Sequence, residues 1–396
     1  MSDAGPRPRA YLDHNATAPL RPEARAALIE ALDAGGNAAS VHADGRAARA
    51  RLERARREVA ALVGADPAAI VFMSGASEAS ALALHPEIDL AGRPVVCDVL
   101  LASAVEHPCV LSGHRFPAGQ VEHLPVDLDG VIDLAVLEAR LAVHAGAGRR
   151  AMLALMAANN ETGVLQPVAE AARLVHARDG VVVCDAVQLA GRGSIDLASL
   201  GADFLTLSAH KMGGPQGAGA LVCAHPDTRP RVALIAGGGQ ERGRRGGTQN
   251  VAAIAGFGAA AVAARARLAG EPMRLKDLRD RLERGIVERL QGAWVAGARS
   301  PRLPNTACVV FPGLKAETLV IALDLASVSV SAGSACSSGK VGTSHVLVAM
   351  GLGPAEAGGA IRFSLGWSSG EQDVDQALAA LGRVVPHLSS RPARVA

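Results

Sequence analysis

Three short apolar runs, MLALMA (152–157), VVVCD (181–185) and DFLTLSA (203–209), constrain this chain more than any other feature, because each is too short for a helix and too continuously apolar for an exposed strand. They read as buried strands of a parallel sheet. Parallel strands need a crossover, and the segment 167–178, which opens with proline at its first helical position, supplies one in the usual right-handed sense. An α/β sheet follows. Ligands of such sheets sit beyond the carboxyl ends of the strands, so Asp185 and the SAHK run at 208–211 are the first places to look for chemistry.

A chain of 396 residues, 49% of them apolar, exceeds what one core normally fills, and two unequal domains are expected. Near residue 260 the pattern changes to long charged helices and then to short strands at 307–311 and 361–365 between helices, as in a smaller α+β domain. The expected division is a large domain over 15–260 and a small one made from 1–14 and 261–396. Within the large domain, Leu52, Ala55, Val59 and Leu62 share one face of a helix over 45–63, with Asp44 as N-cap and Gly64 just past its end.

Forty Lys and Arg against thirty-eight Asp and Glu give a net charge of +2 with the signs interspersed, which suggests neither a nucleic-acid nor a membrane surface. The Arg-rich stretch at 265–289 alternates with acidic residues and reads as a solvated helix face. The longest apolar tract, 251–264, stops at Arg265 before reaching spanning length, and the N-terminus has no apolar core for a secretory signal. Cysteines 97, 109, 184, 223, 308 and 336 form no Cys-x-x-Cys pair, so neither zinc nor a dithiol motif is expected, and a reduced, cytoplasmic setting fits.

Lys211 closes a strand and leads into GGPQGAG, an environment where a partly desolvated amine can form a Schiff base with an aldehyde cofactor. Taken alone it is better explained as a surface lysine after a strand. Asp185 changes the balance, because pyridoxal phosphate (PLP) needs a carboxylate facing its pyridine nitrogen, although an isolated Asp there is equally a turn residue. The segment FMSGASEAS (72–80) runs from a strand through Gly75 into a helix starting near Ser77, which suits a phosphate, or is simply a capped helix start. Ser208, His210 and Thr248 of RRGGT are further possible donors.

At this point the motifs YLDHNATAP (11–19), SGASE (74–78), EHPCV (106–110), NNETGVLQP (159–167), CDAVQ (184–188), SAHK (208–211), GGGQERGRRGGT (237–248), SAGSACSS (331–338) and IRFSLG (361–366), in this order, resemble the cysteine desulfurases. These belong to the class V branch of PLP-dependent transferases of fold type I, whose large domain has a mixed, mainly parallel sheet beside a smaller α+β domain. The resemblance implies that Lys211 holds the cofactor covalently, Asp185 faces its ring nitrogen, Gln188 bonds its ring hydroxyl and His107 stacks on the ring and carries protons. It assigns the phosphate to Ala76, Ser77, Ser208 and His210, with Thr248 contributing from the partner subunit of a homodimer. Asn160 and Arg362 would grip the carboxylate of L-cysteine, since a guanidinium matches a carboxylate with two parallel bonds.

By the same resemblance Cys336 takes the substrate's sulfur, leaving alanine and an enzyme persulfide that passes to an acceptor or iron–sulfur scaffold protein. The chain departs from the usual family pattern at HNATAP, Ala38, Ala209 and Gln240. Three other readings are set against this one. An aminotransferase of small amino acids would use Lys211, Asp185 and Arg362 but needs no cysteine. A catalytically silent docking scaffold for sulfur carriers would not need Lys211, Asp185 and Cys336 intact. A P-loop over GSACSSGKV fails on glycine spacing and on Val341, which stands where a Mg²⁺-binding hydroxyl is required.

Overall fold

A computed structural model describes residues 9–333 and 342–389. Seven strands form the central sheet: β1 (Ile70–Met73), β2 (Val99–Ser103), β3 (Val121–Leu124), β4 (Ala151–Ala154), β5 (Val181–Asp185), β6 (Phe204–Ser208) and β7 (Gly219–Cys223). Their order is β1-β7-β6-β5-β4-β2-β3. Strands β3, β2, β4, β5 and β6 are mutually parallel, while β7 runs antiparallel to both β6 and β1. The sheet is mixed and mainly parallel, as expected.

Alternation along each strand explains why the runs look wholly apolar: both faces are covered. Leu101, Leu153 and Val182 point into a core shared with the helices Ala43–Val63, Leu134–Gly146, Val168–His176 and Val251–Arg267. Leu100, Met152 and Val181 point the other way, into a core shared with the helix Ala76–Ala83. Such burial removes almost every polar alternative from the strands and leaves their ends as the places for function.

A second core lies around an antiparallel sheet of β8 (Trp294–Val295), β9 (Thr306–Val310), β10 (Ser331–Ala332) and β11 (Ala360–Ser364), in the order β8-β9-β11-β10. The helices Glu271–Arg289, Ala316–Leu325 and Glu371–Ser389 pack on it, and so do Ala10 and Leu12 from the start of the chain. No single helix among the described residues is long and apolar enough to cross a bilayer.

Local expectations differ from the structure at three places. The helix expected over 45–63 begins at Ala43, so its N-cap is His42, whose Nδ1 accepts the Gly45 N–H, and Asp44 lies in the first turn. A carboxylate there still favours the positive helix end. Gly64, with φ 68°, closes the helix in the left-handed conformation as expected. Pro167 is the N-cap rather than the first helical residue, since the helix is Val168–His176. The basic stretch is split between two helices and is mostly the solvated face expected, with Arg265, Arg267, Arg274, Arg284 and Arg289 exposed, but Arg279 is buried, donating to Asp280 and to the Leu303 carbonyl.

Candidate active site

The carboxyl ends of β1, β5 and β6 open onto one cavity of about 490 Å³, with the loops after β2 and β4 completing its walls. After β6 the chain makes a single tight turn, Ala209–Lys211, which turns the lysine back over the sheet. Its Nζ donates to the carbonyls of Asn15 (2.6 Å) and Ala16 (2.8 Å). Asp185 ends the neighbouring strand and lines the same cavity, with Oδ1 accepting the Val187 N–H at 2.9 Å. Burial pushes its pKa up to about 6, against the opposing pull of the Val187 N–H and Lys211, so it is still a carboxylate near pH 7 and can pair with a cationic group delivered from the cavity.

At one end of the cavity the helix Ala76–Ala83 begins at Gly75, which offers no side-chain cap, so the first-turn N–H groups of Ala76 and Ser77 are available to an anion. A Cβ on Gly219 of β7 would lie 2.6 Å from Gly75 Cα, so the sheet admits this turn only because position 219 is glycine. Ser208 and His210 border the same space. His210 Nδ1 meets Thr17 Oγ1 at 3.2 Å, and burial followed by the nearby Lys211 lowers its pKa to about 4.

His107 caps the short helix Pro108–Leu111 by accepting the Cys109 N–H on Nδ1 at 3.1 Å, which leaves the ring proton of the neutral form on Nε2. Burial, then Lys211, depress its pKa to about 4, so the ring is neutral near pH 7. Gln188 donates from Nε2 to the Asn15 carbonyl at 3.2 Å, the same oxygen that Lys211 uses.

Across the cavity, Arg362 comes from β11 of the other sheet. It is 1% exposed; Nη2 donates to Asp13 Oδ1 and Nη1 to the Asn160 carbonyl, both at 3.0 Å, while Nε has no partner among the described residues. A guanidinium so placed matches a carboxylate in geometry and charge. The structure thus gathers Lys211, Asp185, Gln188, Asn160 and Arg362 in one place, together with His107 and the phosphate-binding candidates. Thr248 is exposed and lies outside its own chain's cavity. Cys336 lies outside the described residues.

Several residues without an assigned role in the sequence prove structural to the site. Asn15 donates to the Asn160 carbonyl and to Thr306 Oγ1 and receives Lys211. Asp13 pins Arg362 and also accepts Ser331 Oγ. Both stand in the quoted YLDHN motif, but only three-dimensional contact shows their use.

Residues 10–377 match the family Aminotransferase class-V. A cysteine desulfurase of Cereibacter sphaeroides is 42% identical over 386 residues, covering 96% of each chain. An IscS-like cysteine desulfurase of Mycobacterium tuberculosis is 37% identical, covering 98% of each. The chain belongs to the cysteine desulfurase family of class V. Among solved structures, a NifS-like protein from Rickettsia africae superposes with a TM-score of 0.85 at 30% identity, covering 96% of this chain and 99% of that one. A structure described as SspA in complex with cysteine gives a TM-score of 0.71 at 28% identity over 90% of this chain and 98% of its own.

The residues present fit the cofactor of this family. An amine at a strand end, a buried carboxylate able to pair with a cation and an uncapped helix N-terminus border one cavity, and Gly219 beside that helix start leaves room for its turn. No group of three or more His, Cys, Asp or Glu residues suited to a metal ion occurs among the described residues.

Proposed function

We propose that this enzyme is a PLP-dependent cysteine desulfurase that removes sulfur from L-cysteine, releases L-alanine and carries the sulfur as a persulfide on Cys336. The convergence of Lys211, Asp185 and Arg362 on one cavity from two different sheets carries the reading. PLP bound there supplies an electron sink conjugated to the substrate's α-carbon. Lys211 would hold the cofactor covalently, Asp185 would pair with its ring nitrogen, Gln188 with its ring hydroxyl, and His107 would lie against its ring. Ala76, Ser77, Ser208 and His210 would hold the phosphate, together with Thr248 of a second subunit in a homodimer.

Arg362 and the Asn160 side chain orient the substrate by its carboxylate, in a pocket whose buried guanidinium discriminates strongly against amines lacking that group. Lys211 Nζ would be the base for the α-proton, and neutral His107 holds a proton on Nε2 that it can deliver. Cys336, as the thiolate, attacks the substrate sulfur. The new S–S bond forms as the Cβ–S bond breaks, and that bond's electron pair stays with the carbon skeleton, which takes up protons to become alanine. In sum, cysteine plus enzyme thiol gives alanine plus enzyme persulfide. The persulfide then passes to a sulfur acceptor, such as an iron–sulfur scaffold protein, in a reducing cytoplasm.

The test is product analysis with purified holoenzyme. Alanine and sulfide in equal amounts from cysteine plus a reductant are expected, and both should disappear in Cys336→Ala while the visible absorption of bound cofactor stays. A keto acid and an aminated cofactor would instead mark an aminotransferase.

A further inference from the structure

Arg192 follows β5 in a turn whose Gly191 adopts φ 77° and where a Cβ would crowd Ala264 and Met212 at 3.1 Å. Arg192 is 6% exposed. Nη1 donates to both oxygens of Gln188, at 2.9 Å to the backbone carbonyl and to Oε1 of the side chain. Nη2 donates to the carbonyl of His14 (3.0 Å) and to that of Lys211 (3.1 Å). Among the described residues none of these bonds goes to a carboxylate. Placing an ion in a protein interior without a counter-ion costs several kcal/mol, so this cation needs a purpose.

Two geometric consequences converge on the lysine. Because Oε1 of Gln188 is engaged by Arg192, the amide can turn only its Nε2 toward the cavity, where it shares the Asn15 carbonyl with Lys211 Nζ. And the guanidinium lies directly against the lysine's own backbone. We propose that Arg192 is a positioning residue: it sets the Gln188 amide as a donor toward the cofactor's ring oxygen and keeps a fixed positive charge beside Lys211. The proposal rests on the reading that Lys211 binds PLP. Burial, and then Arg362, lower the pKa of Arg192 to about 9, which leaves it charged at neutral pH. Other titratable or charged groups lining the cavity with Lys211 are His107, Cys109, Asp185, His210, Glu78 and Arg362. Around Arg192 itself stand His14, Arg362 and Glu271.

A nearby positive charge disfavours a protonated imine, and so does a donor to the ring oxygen that balances it. Arg192 therefore eases loss of the imine proton and favours the form with a free nitrogen. The experiment is a pH titration of the visible absorption of the lysine-bound cofactor in wild type, Arg192→Met, Arg192→Gln and Arg192→Lys. Both neutral variants should raise the midpoint by about one pH unit or more, a tenfold change in proton affinity, and Arg192→Lys should stay within about 0.3 units of wild type. If Arg192→Met does not fold, Arg192→Gln against Arg192→Lys gives the same comparison. Neutral variants that bind cofactor with an unchanged midpoint, whatever their melting temperature, would overturn the proposal and leave Arg192 a packing residue. Absence of any lysine-bound absorption in wild type supplied with PLP would instead overturn the cofactor reading on which it rests.

Discussion

Glu106 precedes His107 with its carboxyl wholly enclosed: Oε1 accepts the Met156 N–H at 2.7 Å, and Oε2 has no partner among the described residues. Burial pushes its pKa up to about 8, so in the folded protein it is a neutral acid over a range where the unfolded chain carries it ionised. A raised carboxyl pKa gives a contribution that is complete below the unfolded value near 4.5 and is lost as pH rises through the folded value. Glu106→Gln has no such dependence. The difference in unfolding free energy, variant minus wild type, should therefore grow by about 1–2 kcal/mol between pH 6 and pH 8, measured by denaturant titration of the apoenzyme. A gap that is flat with pH would show that Glu106 ionises normally. Arg362 makes a prediction of a different kind. Its planar fork binds Asp13 and the Asn160 carbonyl through two separate nitrogens while it lines the cavity, and an ammonium cannot reproduce that geometry. Arg362→Lys should lower kcat/KM for cysteine by about 30-fold, mostly through KM, corresponding to one charge-assisted hydrogen bond of about 2 kcal/mol.

At the level of elements, the turn proposed to hold the phosphate depends on the strand beside it. The Cβ of alanine at position 219 would press on backbone atoms of Gly75 at 2.6–2.7 Å, and backbone cannot step aside as a flexible side chain can. Gly219→Ala should weaken PLP affinity at least about tenfold while costing about 1–3 kcal/mol of stability, read by cofactor titration and by thermal melting. Normal affinity would mean that the turn is not the phosphate site. The same elements show how far sequence reasoning reaches. Strands β4, β5 and β6 and the helix Ala43–Val63 were legible because local periodicity and an αL glycine suffice to define them. The cap at His42 was missed because Asp44 is the better capping residue by type, and only the actual start of the helix decides between them. Lys211 and Asp185 were legible as strand-end residues. Asn15 and Arg192 were not: Asn15 lies 196 positions from Lys211 in the chain, and the Arg192 bond to His14 spans 178, so no local pattern joins them.

For the molecule as a whole, the site is a product of two cores. The sheet of β1 to β7 supplies the lysine, the carboxylate and the turn into the uncapped helix, and the sheet of β8 to β11 supplies Arg362. The early segment 10–15 links them, its Ala10 and Leu12 in the second core and its Asp13 and Asn15 in contact with Arg362 and Lys211. Thr248, exposed and apart from its own cavity, is proposed to serve a second copy. Lys211→Ala and Thr248→Ala chains, mixed and reassembled, should then form some sites free of both changes and recover activity above that of either variant alone. Recovery no greater than the Thr248→Ala share would argue that each site is built from one chain. The most direct test of the central claim is to react holoenzyme with one equivalent of L-cysteine without reductant and map the modified peptide by mass spectrometry. The account predicts one added sulfur atom on Cys336, with alanine in equal amount, and no such adduct in Lys211→Ala. Alanine formed with Cys336 unmodified, or sulfur carried on another cysteine, would contradict it.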